Sequence, residues 1–121
     1  MKERSFNSSF ASWAKANLLR SAAFELKVCG KSLPFSAVKP HQIAGLLHAK
    51  HARIFMKLPD VGFQMPFDDF MLVKSEAYVV IRYGSGRVVG IDVDDFIAES
   101  KVSERRSLTE SVAQKLSTFF Y

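Results

Sequence analysis

The chain has 121 residues, 48% hydrophobic and 24% charged, a balance that supplies one folded core and excludes wholesale disorder. No apolar run approaches the roughly 18 residues that a membrane-spanning helix needs, and Met1-Lys2-Glu3-Arg4 leads into a polar segment, so neither membrane insertion nor secretion is expected. Cys29 is the single cysteine, which excludes an intramolecular disulfide and fits a reducing cytoplasm.

Charge is spread unevenly along the chain. Residues 1–57 carry ten Lys/Arg against Glu3 and Glu25, a net +8, whereas residues 58–121 carry seven against ten acids, a net −3. A basic half of this kind predicts a polyanion partner, because neutralising phosphates releases their condensed counterions. A solvated cationic surface with no partner is the plainer alternative.

In chain order, Ser5 is placed to cap a helix whose apolar positions Phe6, Phe10, Trp13, Ala14 and Leu18 form one buried stripe, reaching about Leu19. The stripe reads as core rather than as a base-stacking surface. Ala22 to Val28 predicts a strand with Phe24, Leu26 and Val28 on one face and Glu25 and Lys27 on the other. Gly30 and Leu33-Pro34 break regularity before Pro40 opens a helix with Ile43, Leu46 and Leu47 that ends near His51. Arg53 to Leu58 reads as a strand closed by the turn Pro59-Asp60-Val61-Gly62.

The runs 67–73 and 77–83, joined by Lys74-Ser75-Glu76, predict a hairpin, and the second run is apolar on both faces, as a central strand must be. Gly84-Ser85-Gly86 turns the chain into a further strand over 87–93. Asp94 is expected to cap a short helix from Asp95 to about Glu99. Ser107 and Glu110 have capping-box spacing before a last helix reaching about Thr118, which leaves Phe119-Phe120-Tyr121 to pack or to meet a partner. These elements predict a single α/β domain over 1–121, with a mixed central sheet of about four or five strands flanked by helices.

Two places carry candidate chemistry. Glu25 and Lys27, two apart on a strand, put a carboxylate and an ammonium on one face, where burial without a partner is costly; an exposed cross-face pair is the alternative. In Pro66-Phe67-Asp68-Asp69-Phe70, alternation puts the two acids on opposite faces, so one is directed toward an interior or cleft unless the strand is an open edge. Such a carboxylate, with Glu25, offers the all-oxygen ligation that magnesium or manganese prefers. Asp92, Asp94 and Asp95 read as capping and solvent-facing acids. His48 and His51 sit at the end of a helix, where imidazolium complements the dipole, and no further zinc ligands accompany them. Cys29 reads as a buried thiol.

Phe24-Glu25-Leu26-Lys27, then Ser32-Leu33-Pro34-Phe35-Ser36, then His41-Gln42 at the opening of a helix, resembles the PD-(D/E)XK nuclease superfamily and, within it, the bacterial Holliday junction resolvases of DNA recombination. The likeness covers about residues 22–51, with a looser echo at 66–83. In that family the metal-binding Asp precedes the E-x-K strand, whereas here no Asp precedes Glu25 and the matching Pro66-Phe67-Asp68 follows it. The resemblance therefore implies a circularly permuted restriction-endonuclease-like core, in which the Asp68 strand lies beside the Glu25 strand.

It further implies that Asp68, Glu25 and the carbonyl of Leu26 bind magnesium or manganese, with Asp69 and then Asp60 as alternative ligands. Lys27 and Gln42 would complete the catalytic set, Lys27 by orienting the attacking water and Gln42 by contacting water or phosphate. Lys31, Ser32, Ser36, Lys39 and His41 would contact the DNA backbone. The implied activity is endonucleolytic cleavage of branched DNA by a homodimer, to which Phe119-Phe120-Tyr121 could contribute an interface. A DNA-binding protein that keeps the fold without cutting, and a small protein-binding domain with incidental basicity, are the competing readings.

Overall fold

A computed structural model describes residues 3–17, 22–51, 53–57, 70–74 and 76–121. Its elements are α1 (Glu3–Asn17), β1 (Ala22–Val28), β2 (Ser32–Pro34), a 3-10 turn (Phe35–Ala37), α2 (Pro40–His51), β3 (Arg53–Lys57), β4 (Phe70–Lys74) and β5 (Glu76–Arg82). They are followed by β6 (Val88–Asp92), α3 (Val93–Val102), β7 (Ser107–Thr109), α4 (Glu110–Leu116) and β8 (Phe119–Phe120). The main sheet has four strands in the order β1-β5-β6-β8, with β1 parallel to β5 and the other two pairings antiparallel. The architecture is the expected mixed α/β one.

The doubly apolar run does become a central strand. Ala77, Val79 and Ile81 of β5 enter one core with Leu46 of α2, Val93 and Phe96 of α3 and Ala113 of α4, while Tyr78 and Val80 face the opposite way, onto Phe6 and Phe10 of α1. Strand alternation thus divides β5 between two helical layers, and the helices cover both faces of the sheet. Phe6 is fully buried, which contributes roughly 1.5–3 kcal/mol relative to exposure. The α1 aromatic stripe is core, as expected.

Several local readings change. The run over 67–73 does not form a hairpin with the next strand. Its described part, β4, pairs antiparallel with β3, because β1 and β6 occupy both edges of β5. The strand that follows Asp68 therefore runs beside β3 rather than beside β1. Ser5 lies inside α1 rather than at its cap. Ser107 is not a cap either: it opens β7, which pairs with β2 and sets Leu33 opposite Leu108 in the core. Asp92 rather than Asp94 caps α3, accepting from the Asp94 N–H at 2.9 Å.

Two contacts tie the ends of the fold. Tyr83, buried beneath β7, donates its hydroxyl to the Leu108 carbonyl at 3.0 Å. Lys50, in the last turn of α2, bonds both Asp92 carboxylate oxygens, at 2.7 and 2.9 Å, and Asp94, joining α2 to the start of α3. Burial opposes the Lys50 charge, but its bonds to Asp92 and Asp94 outweigh that and raise its pKa above 10.5. Asp94, held chiefly by the Lys50 hydrogen bond, lies below its usual 3.8. Asp94 therefore adds stability above about pH 4 that is lost as pH falls through its lowered value, and Lys50 adds stability that is lost only as pH rises through its raised one.

Gly86, at φ 96°, completes the β5–β6 turn in a conformation that suits glycine. Gly90 has another role. It pairs with Phe119, and a Cβ there would run into the Phe119 ring, which also stacks on Trp13. Gly90→Ala should lower stability by about 1–3 kcal/mol in denaturant unfolding, and an unchanged midpoint would contradict this packing. The loss of stability between about pH 5 and pH 3 should be smaller in Asp94→Asn than in the parent chain, by up to ~1 kcal/mol because the pair is partly exposed, and equal losses would remove the Lys50–Asp94 tie from the account.

Candidate active site on the first strand

Alternation along β1 sends Phe24, Leu26 and Val28 into the α1 core and leaves Glu25 and Lys27 on the opposite side, toward α2. Their sheet partners Val79 and Ile81 are fully buried, so the two charges stand at the margin of the core rather than on open surface. Lys27 Nζ lies 3.6 Å from Glu25 Oε1, with side chains 19% and 26% exposed. That separation is an ion pair without a hydrogen bond.

Gln42 completes the group. Its side-chain oxygen accepts the Lys39 backbone N–H at 2.8 Å, while the Gln42 and Ile43 N–H groups donate to the Lys39 carbonyl at 2.9 and 3.0 Å. This is the glutamine half of a capping box at the start of α2. With its oxygen engaged there, the amide presents its nitrogen to the sheet, and Nε2 donates to Glu25 Oε1 at 3.0 Å. Glu25 Oε1 thus faces both an amide donor and an ammonium. Glu25 Oε2 has no hydrogen bond or ion pair among the described residues.

The structure therefore brings together Glu25, Lys27 and Gln42, with Leu26 between the first two. Lys31, Ser36, Lys39 and His41 are exposed and Ser32 is half-buried, on the stretch running from the end of β1 to the first turn of α2. Asp60, Asp68 and Asp69 lie outside the described residues. Among the described residues no three His, Cys, Asp or Glu side chains are grouped to hold a metal ion. A carboxylate oxygen without a partner among the described residues, beside a half-buried ammonium, matches the chemistry of a hard divalent cation that takes one or two carboxylates and keeps several waters.

The other candidates have structural roles. Asp92 and Asp94 are engaged by Lys50, and His51 Nε2 sits 3.5 Å from Asp94. Arg105 and Arg106 fall in the acidic half of the sequence, yet the β2–β7 pairing carries Arg106 to the 3-10 turn, where its carbonyl accepts the Phe35 N–H at 3.0 Å. The signal that could have marked them is a pair of adjacent arginines in a turn. No family model, curated protein or solved structure matches this chain, and no helix among the described residues is long and apolar enough to cross a membrane.

Cys29 follows the last residue of β1 and, by alternation, lies on the same side as Glu25 and Lys27, but it is not part of the group. Burial, reinforced by the Glu110 charge, pushes its thiol up to about 11. Alkylation by iodoacetamide at about pH 8 should run roughly 100-fold slower than for an unperturbed thiol, because so little thiolate is present. Labelling at the rate of a free cysteine would show that the thiol is accessible and ordinary.

Proposed function

We propose that the chain is a metal-dependent endonuclease that hydrolyses phosphodiesters in branched or structured DNA, in the manner of the Holliday junction resolvases its E-x-K and His-Gln segments resemble. The observation that carries this reading is the convergence of Gln42, 17 residues away in sequence, and Lys27 on one Glu25 carboxylate oxygen, at 3.0 and 3.6 Å. A strand supplying Glu-x-Lys and a helix supplying Gln at that point is the arrangement the resemblance implies.

On this reading Glu25 and the Leu26 carbonyl hold magnesium or manganese, and Asp68, outside the described residues, joins them as a third ligand although the strand after it, β4, pairs with β3 rather than with β1. The ion, when bound, supplies a water of lowered pKa and offsets charge on the phosphate. Lys27 keeps a positive charge beside the scissile phosphate, orients the attacking water and stabilises the extra negative charge of the transition state. Gln42 fixes Glu25 by holding Oε1, which leaves Oε2 free for the cation. Lys31, Ser32, Ser36, Lys39 and His41 contact the backbone and set its position without reading bases. Two symmetric cuts need two sites, which a homodimer supplies; Phe120 and Tyr121, 49% and 40% exposed at the β8 edge, are the apolar surface we assign to that contact.

Purified protein with magnesium or manganese should cleave a four-way junction. Glu25→Ala and Lys27→Ala should each reduce cleavage at least 100-fold while junction binding persists. Full cleavage by both variants would refute the assignment, and tight binding with no metal-dependent cleavage by the parent chain would leave a DNA-binding protein without nuclease activity.

A further inference from the structure

The β2–β7 ribbon joins segments from the basic and the acidic halves of the chain. Its register sets Pro34 opposite Ser107, and the Phe35 N–H bond to the Arg106 carbonyl continues the pairing one step further. The Phe35 ring lies 5.6 Å from the buried Phe96 ring, which seats the turn on α3. The approach to the arginines is itself ordered, as the Arg105 N–H donates to Ser103 Oγ at 3.2 Å. Arg105 and Arg106, both exposed, therefore stand beside the turn that leads to Lys39, His41 and Gln42.

Lys31, Lys39, Arg105 and Arg106 have no ion pair among the described residues. Glu104 is the single acid within residues 103–107. Arg105 and Arg106, neighbours in sequence, repel one another, and a polyanion relieves that repulsion. Guanidinium groups add a planar fork that matches phosphate oxygens two at a time.

We propose that Arg105 and Arg106, with Lys39, form a phosphate-binding face that grips the DNA backbone beside the first turn of α2, which carries Gln42. This rests on the nuclease reading for the identity of the partner and extends it to residues from the acidic half. The face has no dependence on a metal ion, so its test is run without one.

The test is binding of the full chain to a fluorescent four-way junction and to a plain duplex, in EDTA, over a series of salt concentrations. Replacing both arginines by alanine should weaken binding about tenfold at fixed salt and reduce the slope of log K against log salt by about 1.8, two contacts at roughly 0.9 each. The matched double variant Lys15→Ala/Lys115→Ala, which removes the same charge elsewhere, should change the slope by much less. Arg105→Lys/Arg106→Lys should keep most of the slope, which separates lost contacts from a damaged fold. Equal losses in the two alanine pairs, an unchanged slope in the arginine pair, or binding to anionic phospholipid vesicles but not to DNA would each overturn the proposal. A cleavage assay in which Glu25→Ala remains active would instead remove the nuclease reading and leave this binding result standing.

Discussion

Parallel strands cannot be joined by a tight turn, and the pairing of β1 with β5 obliges the chain to return along the sheet before β5 begins. Here α2 makes that return across β1, and the rest of the candidate site follows from it. A helix running back over a strand begins near the strand's far end, and from that first turn Gln42 reaches back to Glu25 at mid-strand. The amide does two jobs: its oxygen caps the start of the helix and its nitrogen ties the helix to the sheet. Moving α2 would therefore disturb its cap and the carboxylate together.

At the other end of α2, Lys50 meets Asp92 and Asp94, so both ends of the helix are fixed by polar contacts while Leu46 fills the core between them. Beneath, β5 is buried on both faces, and the helices are held against a strand with little freedom to move. This rigidity matters for the chemistry proposed. A half-buried ion pair between Glu25 and Lys27 contributes little to stability when weighed against its desolvation; on the proposed reading, its position at the core margin holds a carboxylate and an ammonium at fixed separation.

Much of this was legible in the sequence where periodicity decides. The alternation of residues 22–28 located Glu25 and Lys27 on one face, the unbroken apolar run of residues 77–81 marked a central strand, and Pro40 marked the start of α2. Errors arose where several local solutions compete. Ser107 and Glu110 fit a capping box, but β2 offered Ser107 a strand partner, and burial of Leu108 beside Leu33 favours the ribbon. Asp92 and Asp94 both suit a cap; Asp92 takes it, and Asp94 pairs with Lys50. The hairpin expected between 67–73 and 77–83 failed for a non-local reason, since nothing in those residues reveals that both edges of β5 are claimed by β1 and β6. Likewise, Arg105 and Arg106 lie 48 and 49 residues beyond the end of the basic half at residue 57, and only a strand pairing brings the Arg106 backbone to the turn at Phe35.

The central claim is that Glu25 acts together with an acid distant in sequence to hold a divalent cation beside Lys27. Manganese titration followed by electron paramagnetic resonance tests it most directly, since bound and free ion are told apart without any assay of cleavage. The account predicts a bound ion in the parent chain that is lost in Glu25→Gln and equally in Asp68→Asn, with both variants folded. Manganese binding of unchanged affinity in both variants, or no binding by the parent chain at millimolar metal, would contradict it.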